Sequence, residues 1–266
     1  MEDALEEIGF LANSANRVRV LDALAGGPGS RRELQEETGV PRSTAARVLD
    51  DAEDRGWVDS EGSRYRLTST GEARVSEFRD YLETTRGMRH LGEAIEWLPE
   101  PARSLDYRHL RNATVTTPTG DNPTAQFDRG MELLRDAEEY RGLTQNSLPQ
   151  YMTELRDRVV QGELDFQGVI EREFVDVLSD DPERAALWND IADRMWLYDG
   201  HVPLNMHVVD GTAMIWLCDE NHDGEDVIVQ GLLESGHPAV VSWAESLYEE
   251  YRSESEPMKL EMLPSE

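Results

Sequence analysis

Residues 30–70 read SRRELQEETGVPRSTAARVLDDAEDRGWVDSEGSRYRLTST, and this stretch decides the fold of the N-terminal part of the chain. Ser30 followed by Glu33 is a capping-box pattern: the serine hydroxyl can take the third backbone amide while the glutamate reaches back. A short helix through Leu34 then runs to Thr38-Gly39-Val40, where Gly39 supplies a left-handed residue. Pro41 suits the first turn of the next helix. There Ala45, Val48, Leu49 and Ala52 recur at i, i+3, i+4 and i+7, the spacing of a buried stripe. Ser43, Arg47, Asp50 and Asp54 lie on the opposite face, flanked by Arg42 and Ala46. Arg55-Gly56 ends this helix. Trp57-Val58 and Tyr65-Arg66-Leu67 read as two short strands joined by the turn Asp59–Arg64. Upstream, Ile8, Leu11, Ala15, Val18, Leu21 and Leu24 read as one helical stripe, stopped by Gly26-Gly27-Pro28-Gly29.

Helix, helix, glycine turn, helix and hairpin in this order predict a winged helix-turn-helix. The segment Arg55-Gly56-Trp57-Val58 with Tyr65-Arg66-Leu67-Thr68-Ser69-Thr70-Gly71 resembles the wing and exit of archaeal winged-helix transcription regulators, over about residues 13–72. The fold implies a recognition helix whose N-terminal residues enter the major groove of double-stranded DNA. Arg42 and Arg47, following Pro41, would read guanine edges, and Ser43 and Thr44 would touch phosphates or bases. Arg31 and Arg32 would hold phosphates, and Arg64 would reach the flanking backbone from the wing. The alternative is a winged-helix module that binds proteins and no specific DNA.

The rest of the composition frames this reading. The chain has 266 residues, with 55 acidic against 26 basic residues and a net charge of −29. Lys259 is the sole lysine, so 25 of the 26 basic residues are arginine. Hydrophobic residues make up 38%, enough to build a core despite the charge. Self-repulsion on this scale opposes compaction in dilute solution and is screened in molar salt, where the Debye length is about 3 Å. The composition therefore resembles that of haloarchaeal proteins. Residues 1–70 carry 14 acidic and 9 basic residues, whereas the remaining 196 carry 41 and 17. The N-terminal quarter is the less acidic part, and it holds the arginine cluster. A lone cysteine, Cys218, allows no internal disulfide and points to a reducing cytoplasm. An acidic N-terminus and the lack of an apolar run near 18 residues leave no signal peptide or membrane contact.

The domain plan expected is a winged helix-turn-helix over 1–70, a connecting helix over 71–100, an effector or assembly domain over 101–252 and a disordered tail over 253–266. The fold class is α+β / α/β. In the connecting helix Val75, Phe78, Leu82, Leu91, Ile95 and Leu98 form a stripe that suits either a dimerisation helix or packing within its own domain. A homodimer is expected, since operator symmetry mirrors protein dimers. Strands are expected near 113–116, 140–143, 166–170, 195–198, 204–209, 212–218 and 227–233, with helices through 127–137, 148–161 and 238–252. Early β-α alternation followed by a meander predicts an α/β domain with a mixed sheet. Asp210-Gly211 suits a type I′ hairpin.

Met195–Tyr198, the Asp210-Gly211 hairpin and Trp243-Ala244-Glu245 followed by Tyr248-Glu249-Glu250-Tyr251-Arg252 resemble the effector domain of archaeal methanogenesis-regulator-type transcription factors. Thr117-Pro118 and Tyr140-Arg141-Gly142-Leu143 fit that pattern more loosely. The resemblance implies a regulator whose second domain senses something or dimerises. Loops 116–124 and 141–148 follow strands, and Thr117, Thr119 and Asn122 precede a helix N-terminus. With Arg141 as counter-charge they would hold a small anionic metabolite; ordinary capping is the other reading.

Other chemistry finds less support. Asp219, Asn221, Asp223 and Gly224 match the first half of a calcium loop, but its twelfth position is Gln230 and its eighth Asp226. His201, His207, Cys218 and His222 lack metal-ligand spacing. Phosphate-cradling, nucleophile-elbow and zinc-protease motifs are missing, and the sole lysine near the C-terminus argues against lysine-dependent chemistry. Neither a cofactor nor an enzymatic activity is expected.

Overall fold

A computed structural model describes residues 1–145, 148–179, 182–219 and 228–263. The chain forms two compact units, Met1–Thr85 and Arg86–Glu266.

The first unit comprises α1 (Glu2–Ala12), α2 (Ala15–Ala25), β1 (Gly29–Ser30), α3 (Arg31–Thr38), α4 (Arg42–Asp54), β2 (Val58–Glu61), β3 (Arg64–Leu67) and the start of α5 (Ser69–Leu91). The single upstream helix expected from the apolar spacing is two helices. Ser14 breaks the run in extended conformation and caps α2 by accepting from the Arg17 amide at 3.4 Å. Ile8 is consequently exposed, while Leu11 and Leu21 are buried. The capping box forms as read: Glu33 accepts from the Ser30 amide at 2.7 Å, and Ser30 accepts from the Glu33 amide at 3.3 Å. Gly39 ends α3 at φ +68°, a left-handed conformation nearly free of cost only for glycine. Leu34, Ala45, Val48, Leu49 and Ala52 close the core against Val20, Leu21 and Trp57. The glycine stretch at 26–29 does more than end α2. Gly29 and Ser30 add a third strand, giving the wing sheet the order β1-β3-β2, all antiparallel.

The second unit contains β4 (Thr114–Thr116), α6 (Ala125–Asp136), β5 (Glu139–Thr144), α7 (Pro149–Gln161), β6 (Asp165–Glu171), α8 (Phe174–Ser179), α9 (Pro182–Asn189), β7 (Met195–Tyr198), β8 (Met206–Val209), β9 (Thr212–Asp219), β10 (Ile228–Ser235), α10 (Pro238–Ser253) and β11 (Glu256–Pro257). Its eight-stranded sheet has the order β11-β7-β6-β5-β8-β9-β10-β4. The three strands β5, β6 and β7 are parallel and the other pairings antiparallel, so the sheet is mixed. Asp210 and Gly211 take φ +46° and +72° in the β8–β9 hairpin.

Strand alternation divides the apolar residues between two cores. Tyr140, Phe166, Met214 and Trp216 pack against α6, α7 and the segment around Trp188. Leu143, Val169, Ile215 and Leu233 pack against α10 and the 3₁₀ segments between Gly92 and Leu110.

Two expectations need correction. The stripe of the connecting helix is not one seam. Helix α5 stops at Leu91, Gly92 turns the chain at φ +56°, and a 3₁₀ segment follows. Val75 and Phe78 are buried in the first unit, with Leu82 packed beside them, while Leu91 and Leu98 are buried in the second. Four of its six residues are thus buried within the chain, and Leu82 and Ile95 are half-buried. The tail over 253–266 was expected to be disordered, but its described part is ordered. Glu256 and Pro257 pair with Leu197 and Trp196 of β7, and Met258 and Leu263 are buried. Those two apolar residues complete a core that the polar residues around them conceal.

Candidate functional site

Two features of the described residues invite a ligand, one in each unit.

In the first unit α3, the Gly39 turn and α4 hold the arginines in different electrostatic situations. Arg31 ion-pairs with Asp50 at 2.9 Å and lies over the Tyr65 ring at 5.2 Å. Arg64 donates to the Pro28 carbonyl and ion-pairs with Glu33 at 3.4 Å, tying the wing to the start of α3. These contacts, with the bond from the Ser30 amide, hold the Glu33 carboxyl below the usual carboxylate range; the backbone bond is the largest cause. Arg66 pairs across the hairpin with Asp59 at 3.5 Å. Arg17 of α2 reaches Asp51 of α4 at 3.8 Å and donates to the Phe10 carbonyl at 3.0 Å. Arg32 is exposed, with Glu36 one turn on at 3.7 Å. Arg42 and Arg47, both exposed on α4, make no hydrogen bond or ion pair among the described residues. Pro41 and Ser43 are exposed beside them, and Thr44 is half-buried.

The structure therefore sorts the eight residues singled out from the sequence. Pro41 is the N-cap of α4, and Arg42, Ser43, Thr44 and Arg47 lie in its first two turns, all exposed but the half-buried Thr44. Arg31 and Arg64 are each ion-paired within the first unit, and Arg32 is exposed with Glu36 beside it. Arg64, placed by the sequence at the DNA from the wing, reaches from β3 to the Pro28 carbonyl and Glu33. Asp50 and Asp51, the acids beside the presented face, are already met by Arg31 and Arg17.

In the second unit the four residues proposed for an anion are not brought together. Thr119 is exposed and accepts from the Asn122 amide at 3.0 Å. Asn122 in turn accepts from the Thr124 amide at 3.1 Å and donates to Asp128 at 3.0 Å. An aspartate thus already occupies the first turn of α6, where an anion would sit. Thr117 is half-buried beside Gly231 of β10. Arg141 lies on β5, four strands from β4 or about 19 Å at the usual strand spacing. It ion-pairs with Asp165 at 2.9 Å and donates to the Asp165 carbonyl at 2.8 Å. This end of β5 is its start, not the carboxyl end that binding loops extend.

A cavity of about 430 Å³ lies instead between the sheet and the helices on its other face. Phe127, Tyr140, Tyr151, Phe166, Trp188 and Trp216 supply its aromatic lining. The register explains the space. Met195, Gly168, Gly142, His207 and Met214 stand side by side across five strands, so two glycines meet at the centre of this row. A Cβ on Gly168 would lie 2.7 Å from Met195 Sδ, and one on Gly142 would lie 3.2 Å from His207 Nδ1. Neighbouring side chains lean over both glycines. Trp216 stacks on Phe127 at 5.6 Å and meets Tyr151 edge-on at 6.1 Å. The polar lining is small: Asn205 accepts from the Thr144 hydroxyl at 2.8 Å, and His207 stands near Tyr140. His207 is half-buried and lines the cavity. Burial pushes its pKa down to about 4, so the ring is neutral.

The sequence reading missed this cavity. Gly142 and Gly168 inside strands were the signal, since a strand glycine often marks a close approach. His207 and Cys218, which lack metal-ligand spacing in the sequence, are not paired in the sheet either. They lie on adjacent strands, but Met214 is the partner of His207, and Cys218 is four residues further along. Among the described residues no three metal-ligating side chains cluster. His222 and most of the calcium-like loop, including Asn221, Asp223, Gly224 and Asp226, lie outside the described residues. Among those described, no helix is long and apolar enough to cross a membrane.

Comparison with known proteins gives matches in both units. The HVO_A0261 N-terminal domain matches residues 5–90, and the middle domain of the methanogenesis regulatory protein FilR1 matches residues 123–254. The HTH-type transcriptional regulator Rv1719 of Mycobacterium tuberculosis is 35% identical over 99 residues, which is 37% of this chain and 36% of that protein. The match thus spans about a third of the relative's length. Among solved structures, the archaeal chromatin protein TrmBL2 aligns over 91% of this chain and 94% of its own, with 15% identity and a TM-score of 0.41. A phospholipase D family member, Nuc from Salmonella typhimurium, aligns over 56% of this chain and 99% of its own, with 12% identity and a TM-score of 0.43. The two domain matches together span most of the chain, and the protein is a transcription regulator of the kind that joins an HVO_A0261-type N-terminal domain to a FilR1-type middle domain.

Proposed function

We propose that this regulator binds double-stranded DNA sequence-specifically through α4, as a dimer, and that its second unit senses a small molecule. One observation carries the DNA reading. In a chain whose arginines are largely engaged by acids, Arg42 and Arg47 stand exposed and unengaged among the described residues, on the helix after the Gly39 turn. Unpaired guanidinium groups can donate bidentately to guanine O6 and N7 without first breaking an ion pair. Neutralisation of Asp50 and Asp51 by Arg31 and Arg17 lowers the repulsion that phosphate would meet there. The dimer reading no longer rests on the connecting helix, whose apolar stripe is mostly buried within the chain; it rests on the two-fold symmetry of operators. We further propose that the chain works in concentrated salt, on the strength of its net charge of −29.

Selection from a random DNA library in about two molar potassium chloride tests this reading. A palindrome should emerge, with half-sites about 10 base pairs apart or a multiple of that. The double variant Arg42→Ala, Arg47→Ala should lose the enriched sequence while its circular dichroism and melting temperature stay unchanged, because neither side chain holds the fold. Selection of no sequence by the wild type would favour a winged helix that docks on protein.

A further inference from the structure

We propose that the cavity between the sheet and helices α6 and α7 binds a small uncharged molecule with a flat apolar body and one hydroxyl-like group, which stacks on Trp216 and hydrogen-bonds to His207. Four observations lead there. Protein interiors hold few voids larger than a water molecule, whereas ligand pockets run from roughly 300 to 1,000 Å³. This one measures about 430 Å³. It is also made by a specific device: Gly142 and Gly168 stand side by side in register with no side chains of their own, so Met195, Phe166 and His207 lean over the sheet there and no side chain projects from its centre.

The lining then states the ligand's charge. Aspartate, glutamate, arginine and lysine make up 30% of the chain, yet none of the described lining residues is one of them. A carboxylate or phosphate buried there would meet no arginine or lysine among the described lining residues, and an isolated buried charge is very costly. The molecule is therefore neutral, which replaces the anionic metabolite inferred from the sequence.

The polar residues state where its one polar group goes. His207 Nδ1 is closed off above Gly142 and has no hydrogen-bond partner among the described residues. Nε2 of this cavity-lining ring likewise has no hydrogen-bond partner among the described residues. Whichever tautomer the ring adopts, Nε2 has one role open, as donor or as acceptor, and a hydroxyl satisfies both. Trp216, held by Phe127 and Tyr151, offers the stacking surface at the helix side.

The effector role of this site rests on the regulator reading above, but its test needs no DNA. Fluorine NMR of the full chain in about two molar potassium chloride would compare 4-fluorobenzyl alcohol with 4-fluorobenzoate, a pair close in shape and different in charge. The alcohol should bind saturably, at least about tenfold more tightly than the benzoate. Gly142→Val, which fills the floor, should abolish this binding. Should that variant fail to fold, Met152→Trp fills the same space from the α7 wall. His207→Phe keeps the ring and removes the nitrogens, and should weaken the alcohol by about fivefold. Equal affinity for the two probes, tighter benzoate, undiminished binding by a folded filled variant, or no saturable binding of the alcohol would each overturn the proposal. A chain that selects DNA yet ignores the alcohol loses the cavity site alone. One that binds the alcohol but selects no DNA keeps the site and loses its regulatory meaning.

Discussion

Arginine supplies 25 of the 26 basic residues, so what each does depends on the acid nearest to it. Arg129 shows the fully committed case: its guanidinium holds Glu234, which is 7% exposed, in a bidentate pair that ties α6 to β10. Arg42 and Arg47 show the opposite case: neither makes a hydrogen bond or ion pair among the described residues. Among the described histidines burial acts most strongly on His207. Its folded pKa of about 4 lies below the ordinary value of about 6.5. Above pH 6.5 it is neutral in both states. As the pH falls from about 6.5 towards 4 the unfolded chain takes a proton that the folded ring refuses, and stability is lost, by up to roughly 3 kcal/mol. His207→Phe removes this linkage. The melting temperature of the variant relative to wild type should therefore rise steadily between pH 7 and pH 4.5. A constant difference over that range would show that the ring titrates alike in both states.

At the scale of elements, breaks in helices carry as much meaning as the helices. Ser14 splits what the apolar spacing joins, because an N-cap hydroxyl satisfies a backbone amide that a continuous helix would satisfy internally. Gly92 ends α5 and lets the residues beyond it pack in the second unit. The clearest test at this scale is the C-terminal strand. Deleting residues 254–266 removes Met258 and Leu263 from the core and the β11 pairing from the edge of β7. Two buried apolar side chains are worth about 3–6 kcal/mol as an upper estimate, so the truncated chain should melt well below the full one. An unchanged midpoint in chemical denaturation would mean that the strand adds nothing to the fold.

For the molecule as a whole, charge sets the working conditions. A net charge of −29 repels DNA at low ionic strength and is screened in molar salt, where phosphate contacts also lose most of their counterion-release gain. Specificity must then come from base edges, shape and dehydration. With two arginines per protomer unengaged at the reading helix, the log–log dependence of affinity on potassium chloride should have a slope no steeper than about −2 per protomer. Binding measured by fluorescence anisotropy between about one and two molar salt checks it. A much steeper slope would mean that arginines now paired with acids, such as Arg31 and Arg64, leave those acids for phosphate.

The order of elements was legible from local rules. Ser30 with Glu33, Gly39, the Ala45–Val48–Leu49–Ala52 stripe and the Asp210-Gly211 hairpin each act over a few residues, and each formed where the sequence placed it. The strands of the mixed sheet likewise lie close to the stretches expected for them. What only the tertiary structure decided depends on partners far apart in the chain. Arg31 and Arg42 look alike in sequence, but Asp50 lies beside one and no acid among the described residues beside the other. Gly142 and Gly168 are ordinary strand residues until register sets them side by side and opens a cavity. Met258 and Leu263 sit in a polar tail until β7 offers an edge and a core. Local hydrogen bonds and periodicity are written along the chain, whereas charge pairing, register and voids arise between segments that meet only in the folded state.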